Sequence, residues 1–278
     1  MGDARSAPTT TEDALLGGKL IIRQPAKGHR IGTDAILLAA AAPREGVSQL
    51  VDVGAGVGAV GLAALARVPA AHADLVEKDS DLAALAEANA ARNDAQERTR
   101  VLRVDVTKAR ERREAGLLDA AADLVLTNPP FFEARKVRVS SDSKRASAYV
   151  FANEAEADDG PAPLVAWIIA SLRLLRPGGR FIIIHRPEAL APMLAAFERR
   201  LGAVEILPVY PSADANAHRL IVAGHKGART PTSLRPGLVL HEPGGAFTPV
   251  AEALHRGEAV IDWADAPRRR ARRQPTPR

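Results

Sequence analysis

Residues 48–61 read SQLVDVGAGVGAVG. The run QLVDV is short and apolar on both sides of the chain, which suits a strand buried on both faces. Glycines follow at once, and the next residues open a helix. A strand that turns on glycines into a helix is the repeating unit of a doubly wound sheet. It sets Gly54, Gly56 and Gly58 in the crevice above the strand ends, where such sheets bind ligands. Glycine lets the backbone approach a ligand closely, and a helix N-terminus offers free N–H groups. Gly56, Gly58 and Gly61 also match the dinucleotide pattern G-x-G-x-x-G literally. In that pattern, however, the first glycine sits where the strand ends, which here is Gly54, and from there the third falls on Ala59.

Working outward, the chain alternates. Strands are expected at 18–24, 48–54, 72–79, 100–106, 122–130, 180–185, 204–210 and 219–226. Helices are expected at 32–43, 57–69, 81–94, 164–180 and 188–202, the 164–180 helix being closed by Pro-Gly-Gly. Thr33 or Asp34 supplies the N-cap of the first helix, and Pro43 stops it. Alternation of this kind implies an α/β fold, a single domain with a mostly parallel, doubly wound sheet. The organisation expected is a disordered 1–13, a domain over 14–230 that includes the N-terminal strand and helix (18–43), an extension over 231–266 packed on the same domain, and a disordered Arg-rich tail over 267–278.

Composition removes several classes of function. The 278 residues include no cysteine, so disulfides, thiol catalysis and cysteine-bound zinc are excluded. The seven histidines show no ligand spacing, and no metal is expected. The longest apolar run, Ala35 to Ala42, is far below the ~18 residues of a membrane span. The N-terminus has no basic region followed by an apolar core, so a cytoplasmic protein is expected. The net charge of +5 is unevenly placed. Six arginines and no acid lie in 266–278, leaving the remainder close to neutral. Such a tail suits either attraction to phosphates or simple solubility.

Acidic residues accompany the glycines. Glu77 ends the next strand, 23 residues after Gly54, where a carboxylate can accept both hydroxyls of a ribose. Asp105 ends the strand after that and can accept from an adenine amine. Asp52 lies inside the first strand. Any one of these is an ordinary cap or loop acid; the combination is more specific. VDVGAGVG with Glu77 and Asp105 resembles class I S-adenosylmethionine-dependent methyltransferases, whose sheet has seven strands. The resemblance implies S-adenosylmethionine as cofactor, with the glycine loop beside its methionine part, Glu77 on the ribose and Asp105 on the adenine.

Residues 126–132 read LTNPPFF. By the same resemblance they end the fourth strand, beside the transferable methyl, and match methyltransferases that act on a planar amine. An exocyclic amine is a poor nucleophile because its lone pair is delocalised, so it needs aim more than a strong base. The Asn128 side-chain oxygen and the Pro129 carbonyl can each accept one N–H. Pro129 and Pro130 stiffen the turn and donate no competing N–H. Phe131 offers a face on which a flipped base stacks, worth ~1–3 kcal/mol. Without its companions the stretch reads as a strand ending in a turn, with two buried phenyl rings.

QPAKGHRIGTDAILLAA (24–40), DVGAGVGAVGLA (52–63), LTNPPFF and HRLIVAGHKG (218–227) together resemble the bacterial tRNA(Val) adenine-N6 methyltransferases. That resemblance implies a tRNA partner and methylation of an anticodon-loop adenine, and it adds Thr33, Asp34 and Asn128 to the cofactor site. Arg135, Lys136, Arg138, Lys144 and Arg145 then form a basic loop suited to RNA phosphates, or a solvated charged loop. The family motif often carries Tyr where this chain has Phe131. Methylation of guanine N2 in rRNA, or of a glutamine amide in a protein, uses the same motif. An RNA-binding protein with a decayed methyltransferase fold would be expected to have lost Asn128, the glycines or Glu77, and all are present.

Overall fold

A computed structural model describes residues 9–27, 31–130 and 162–263. The elements in chain order are β1 (Thr10–Leu15), β2 (Leu20–Pro25), α1 (Thr33–Ala40), β3 (Gln49–Val53), α2 (Ala59–Leu65), β4 (His72–Val76), α3 (Ser80–Arg92), β5 (Thr99–Leu102), α4 (Ala109–Glu114) and β6 (Ala122–Thr127). After residue 161 come α5 (Pro163–Leu174), β7 (Leu175–His185), α6 (Leu190–Phe197), β8 (Leu201–Tyr210), β9 (Arg219–Lys226), β10 (Ser233–Leu234), β11 (Leu238–Val239) and α7 (Pro249–His255).

The main sheet runs β10-β8-β9-β7-β6-β3-β4-β5, with β11 also paired to β8. Seven of its strands form the doubly wound sheet expected from the alternation. The two-residue β10 and β11 lengthen it at the outer edge of β8. Pairing is parallel from β7 across to β5, and β9 is antiparallel to both β7 and β8. Alternate residues of β7 face opposite layers. Ile182 and Ile184 pack with α1 and α2, while Phe181 and Ile183 pack with α5 and α6. Both faces are covered, which is why the strands are apolar runs with little polar alternation.

Several local expectations are corrected. Residues 10–13 are not disordered: they belong to β1, which pairs antiparallel with β2. The N-cap of α1 is Gly32, not Thr33 or Asp34, and no side chain caps this end. The Pro-Gly-Gly after α5 does not close the helix but lies within β7, where the register with β6 shifts between Ala122 and Leu124. The short α4 gave no recognised pattern, being almost wholly charged. The 231–263 stretch packs on the body through α7, whose Ala251 and Leu254 enter the core. Phe131, the five basic residues at 135–145 and the Arg-rich tail lie outside the described residues.

Candidate functional site

The carboxyl ends of β3, β4 and β6 are neighbours in the sheet. This places the residues after each strand side by side. The turn after β3 folds over the end of β4, with the Gly54 and Ala55 amides both donating to the Val76 carbonyl, at 2.9 and 3.0 Å.

The glycines of this turn do different things. Gly54, Gly56 and Gly58 all have positive φ (75°, 56° and 85°), a conformation that side chains disfavour. A Cβ at Gly54 would meet the Trp167 indole of α5 at 2.8 Å, whereas one at Gly56 would meet nothing within 4 Å. Only Gly56 therefore faces open space. Gly58 makes the left-handed turn into α2. Gly61, inside α2, packs so closely that a Cβ would come within 2.2 Å of Leu75, and its amide donates to Asp52 at 2.8 Å. The literal G-x-G-x-x-G match is thus a turn glycine, a helix-entry glycine and a packing glycine.

The acids sit around this turn. Glu77 is half-buried just past β4. One of its oxygens accepts from the Gly56 amide at 2.8 Å and the other from the Asp79 amide at 2.9 Å. A carboxylate has about four acceptor positions, so both oxygens can accept further donors. Asp52 is 1% exposed, on the α2 side of β3. Burial pushes its carboxyl up to about 7; the Gly61 N–H opposes this and the nearby Glu77 charge adds to it. Asp105 does not end β5, which stops at Leu102; it lies three residues on, in a turn. One of its oxygens accepts from both the amide and the hydroxyl of Thr107, at 2.9 and 2.7 Å. Burial pushes its carboxyl up, but the two Thr107 bonds and the charges of Lys78 and Lys108 outweigh that, leaving it below the usual range.

Asn128 and Pro129 follow β6 directly, with Asn128 half-buried, Pro129 buried and Pro130 exposed. Thr127, the last residue of β6, is fully buried. Asp34 is further out, paired with Arg219 at 2.8 Å across 185 positions of sequence. That pair ties the start of α1 to the start of β9. The adjacent Thr33 is partly exposed in the first turn of α1. The structure thus brings together Asp52, the glycine turn, Glu77 and Asn128, with Asp105 one strand further along. Thr127, Trp167 and Arg219 also join these elements, through the Trp167–Thr127 and Arg219–Asp34 bonds. Nothing in their local patterns marks a partner forty or more positions away.

An open position over Gly56, the half-buried Glu77 carboxylate beside it, and Asn128 at the end of the adjacent strand lie side by side at this edge of the sheet. The described residues contain no cluster of three or more His, Asp or Glu placed to hold a metal ion, and no helix among them is long and apolar enough to cross a membrane. A hollow of about 440 Å³ lies at the opposite, amino end of the strands, among residues such as Gln49, His72 and Thr99. It is remote from these groups.

Residues 28–145 match the family model described as methyltransferase small domain. A solved structure from Agrobacterium tumefaciens, described as a predicted O-methyltransferase, is 31% identical with a TM-score of 0.67, covering 82% of this chain and 98% of that one. The release factor glutamine methyltransferase of Caulobacter vibrioides is 30% identical over 66% of this chain, a match that spans 60% of that protein's length. The tRNA1(Val) (adenine(37)-N6)-methyltransferase of Aeromonas hydrophila is 29% identical, over 79% of this chain and 85% of that protein. With the sheet order, the glycine turn and the strand-end acids, these matches establish that the chain belongs to the class I S-adenosylmethionine-dependent methyltransferases.

Proposed function

We propose that this methyltransferase acts on the exocyclic N6 of an adenine in tRNA. The observation that carries the reading is Asn128-Pro129-Pro130 at the end of β6, directly beside the β3 strand that leads into the glycine turn. S-adenosylmethionine supplies an electrophilic methyl on a sulfonium. On this reading Glu77 and Asp105 would hold its ribose and adenine, the Gly54–Gly58 turn and Asp52 would flank its methionine part, and Thr33 and Asp34 would close that end.

The chain's own work is to aim the acceptor. The Asn128 side-chain oxygen and the Pro129 carbonyl each take one N–H of the target amine and point its lone pair at the methyl carbon. With the donor bound, transfer would form the N–C bond at the expense of the donor's S–C bond, and the amine would give up one proton to water. Phe131 stacks on the flipped base, and Arg135, Lys136, Arg138, Lys144 and Arg145 meet RNA phosphates. An anticodon-loop base is already unpaired, so flipping it costs little. The tRNA assignment rests on the Aeromonas likeness and the GTDAILLAA stretch.

A second reading is supported by the Caulobacter relative: methylation of a glutamine amide, which presents the same planar N–H₂ to the same acceptors. One experiment separates them. Labelled S-adenosylmethionine is offered to unmodified tRNA, rRNA and bulk protein, and the product is identified by mass. N6-methyladenosine from tRNA is expected. Asn128→Ala should cut turnover at least ~100-fold with cofactor affinity nearly unchanged, because it removes aim and not donor binding. Label in guanosine or glutamine would move the enzyme to that acceptor, and label on oxygen would reject the amine reading.

A further inference from the structure

The strand carrying the glycine turn and the strand carrying Asn128 are joined by a buried side-chain relay. The Trp167 indole N–H donates to the Thr127 hydroxyl at 3.0 Å, and that hydroxyl donates to the Val53 carbonyl at 2.8 Å. Val53 is the last residue of β3 and Thr127 the last of β6. Trp167 comes from α5 and is 9% exposed, while Thr127 is 0% exposed. The same indole occupies the space where a side chain at Gly54 would stand, 2.8 Å from its ideal Cβ. One ring therefore braces the first glycine of the turn and, through one hydroxyl, the residue immediately before Asn128.

The ladder alone does not explain this. Parallel pairing already holds Val53 level with Thr127. A valine at 127 would fill the same volume and suit a strand as well. A hydroxyl is buried here instead, with both its donor and its acceptor capacity used, across the two strand ends where donor and acceptor must meet. Burying a hydroxyl is costly unless it is bonded, so its presence at this point calls for a reason beyond packing.

We propose that Trp167 and Thr127 are positioning residues that fix the separation and angle between the glycine turn and the Asn128-Pro129 acceptors. This rests on the reading of Asn128 and Pro129 as the amine-aiming pair. In-line displacement tolerates little error: a misplacement of about 1 Å costs about 100-fold in rate. The relay runs from the Trp167 indole through the Thr127 hydroxyl to the Val53 main-chain carbonyl, and a loss at Thr127 or Trp167 moves strand ends without removing any group that touches substrate.

The test compares Thr127→Val, which deletes the hydroxyl at constant volume, with Thr127→Ser, which keeps it. Each is measured for thermal unfolding, S-adenosylmethionine affinity by calorimetry, and kcat with whichever acceptor the wild type methylates. A Trp263→Phe background leaves Trp167 the sole tryptophan of the chain, so its emission reports on S-adenosylhomocysteine binding. Thr127→Val is expected to fold, to keep cofactor affinity within about 3-fold, to lose kcat by about 10- to 100-fold, and to lose the Trp167 response. Thr127→Ser should recover most of both. Unchanged kcat and response in Thr127→Val, or equal losses in the two variants, would overturn the proposal. A failure of the amine reading is seen separately, as wild-type label on a non-amine acceptor or on none. The emission response of Val against Ser then decides whether the relay couples the two strand ends.

Discussion

At the scale of single residues, the buried carboxyl of Asp52 has a measurable consequence. It titrates near 7 in the folded chain and near ~4 when unfolded. Between those values the folded state holds the extra proton, so the associated stability is full below ~4 and is lost as pH rises through 7. Asp52→Asn copies the protonated form. The variant should gain on the wild type by about 2–4 kcal/mol as pH goes from 4 to 8, read from urea unfolding at each pH. Parallel curves would mean that Asp52 is ionised throughout. Asp105 shows the opposite balance because Thr107 bonds its charged form directly, while Asp52 has a single amide donor and no solvent.

At the scale of elements, the N-terminal hairpin is held by a helix that imitates a strand. Asn89 of α3 and Asn93, which caps its end, lie four apart, a rise of ~6 Å along a helix, close to the ~6.6 Å spanned by two residues of a strand. Asn93 accepts from the Ile21 amide and donates to the Ile21 carbonyl, both at 2.8 Å. Asn89 does the same with Arg23, also at 2.8 Å, and donates to the Val57 carbonyl at 2.9 Å. Asn89 thus joins β2 to the glycine turn. Asn89→Ala leaves one amide and two carbonyls of the main chain unpaired, and about 2–4 kcal/mol of stability should be lost. Hydrogen exchange should rise at 20–25 and 54–58 together. A rise confined to the hairpin would show that the turn does not depend on it.

At the scale of the whole molecule, the segment after Thr230 is fastened to the body by a few buried polar contacts. Arg67, 8% exposed at the end of α2, donates to the Leu254 and Ala259 carbonyls at 2.9 and 2.6 Å and so satisfies the end of α7. The Ile261 amide and the Trp263 indole reach the Ala40 and Ala41 carbonyls at 2.8 Å, and Arg180 lies over the Trp263 ring. Arg67→Met keeps the length and loses both bonds. Stability should fall by about 2–3 kcal/mol, and limited proteolysis should cut first within 231–263. If cleavage is unchanged, the β10 and β11 pairing, the Ala251 and Leu254 packing and the Ile261 and Trp263 contacts hold this segment without Arg67.

The part of this protein legible in its amino-acid order is the part that local chemistry dictates. The strand-glycine-helix unit, the alternation that winds the sheet, and Glu77 and Asn128 at strand ends all follow from patterns within about ten residues, because backbone geometry and burial impose them locally. Which glycine faces open space is settled by packing, since Gly54 and Gly56 look alike until Trp167 arrives from α5 against one of them. Tertiary contacts also decide that Asp34 pairs with Arg219 instead of capping its own helix, and that residues 10–15 form a strand against β2. These choices depend on partners far along the chain. Their energies arise only when desolvated groups meet, and no local pattern carries that information.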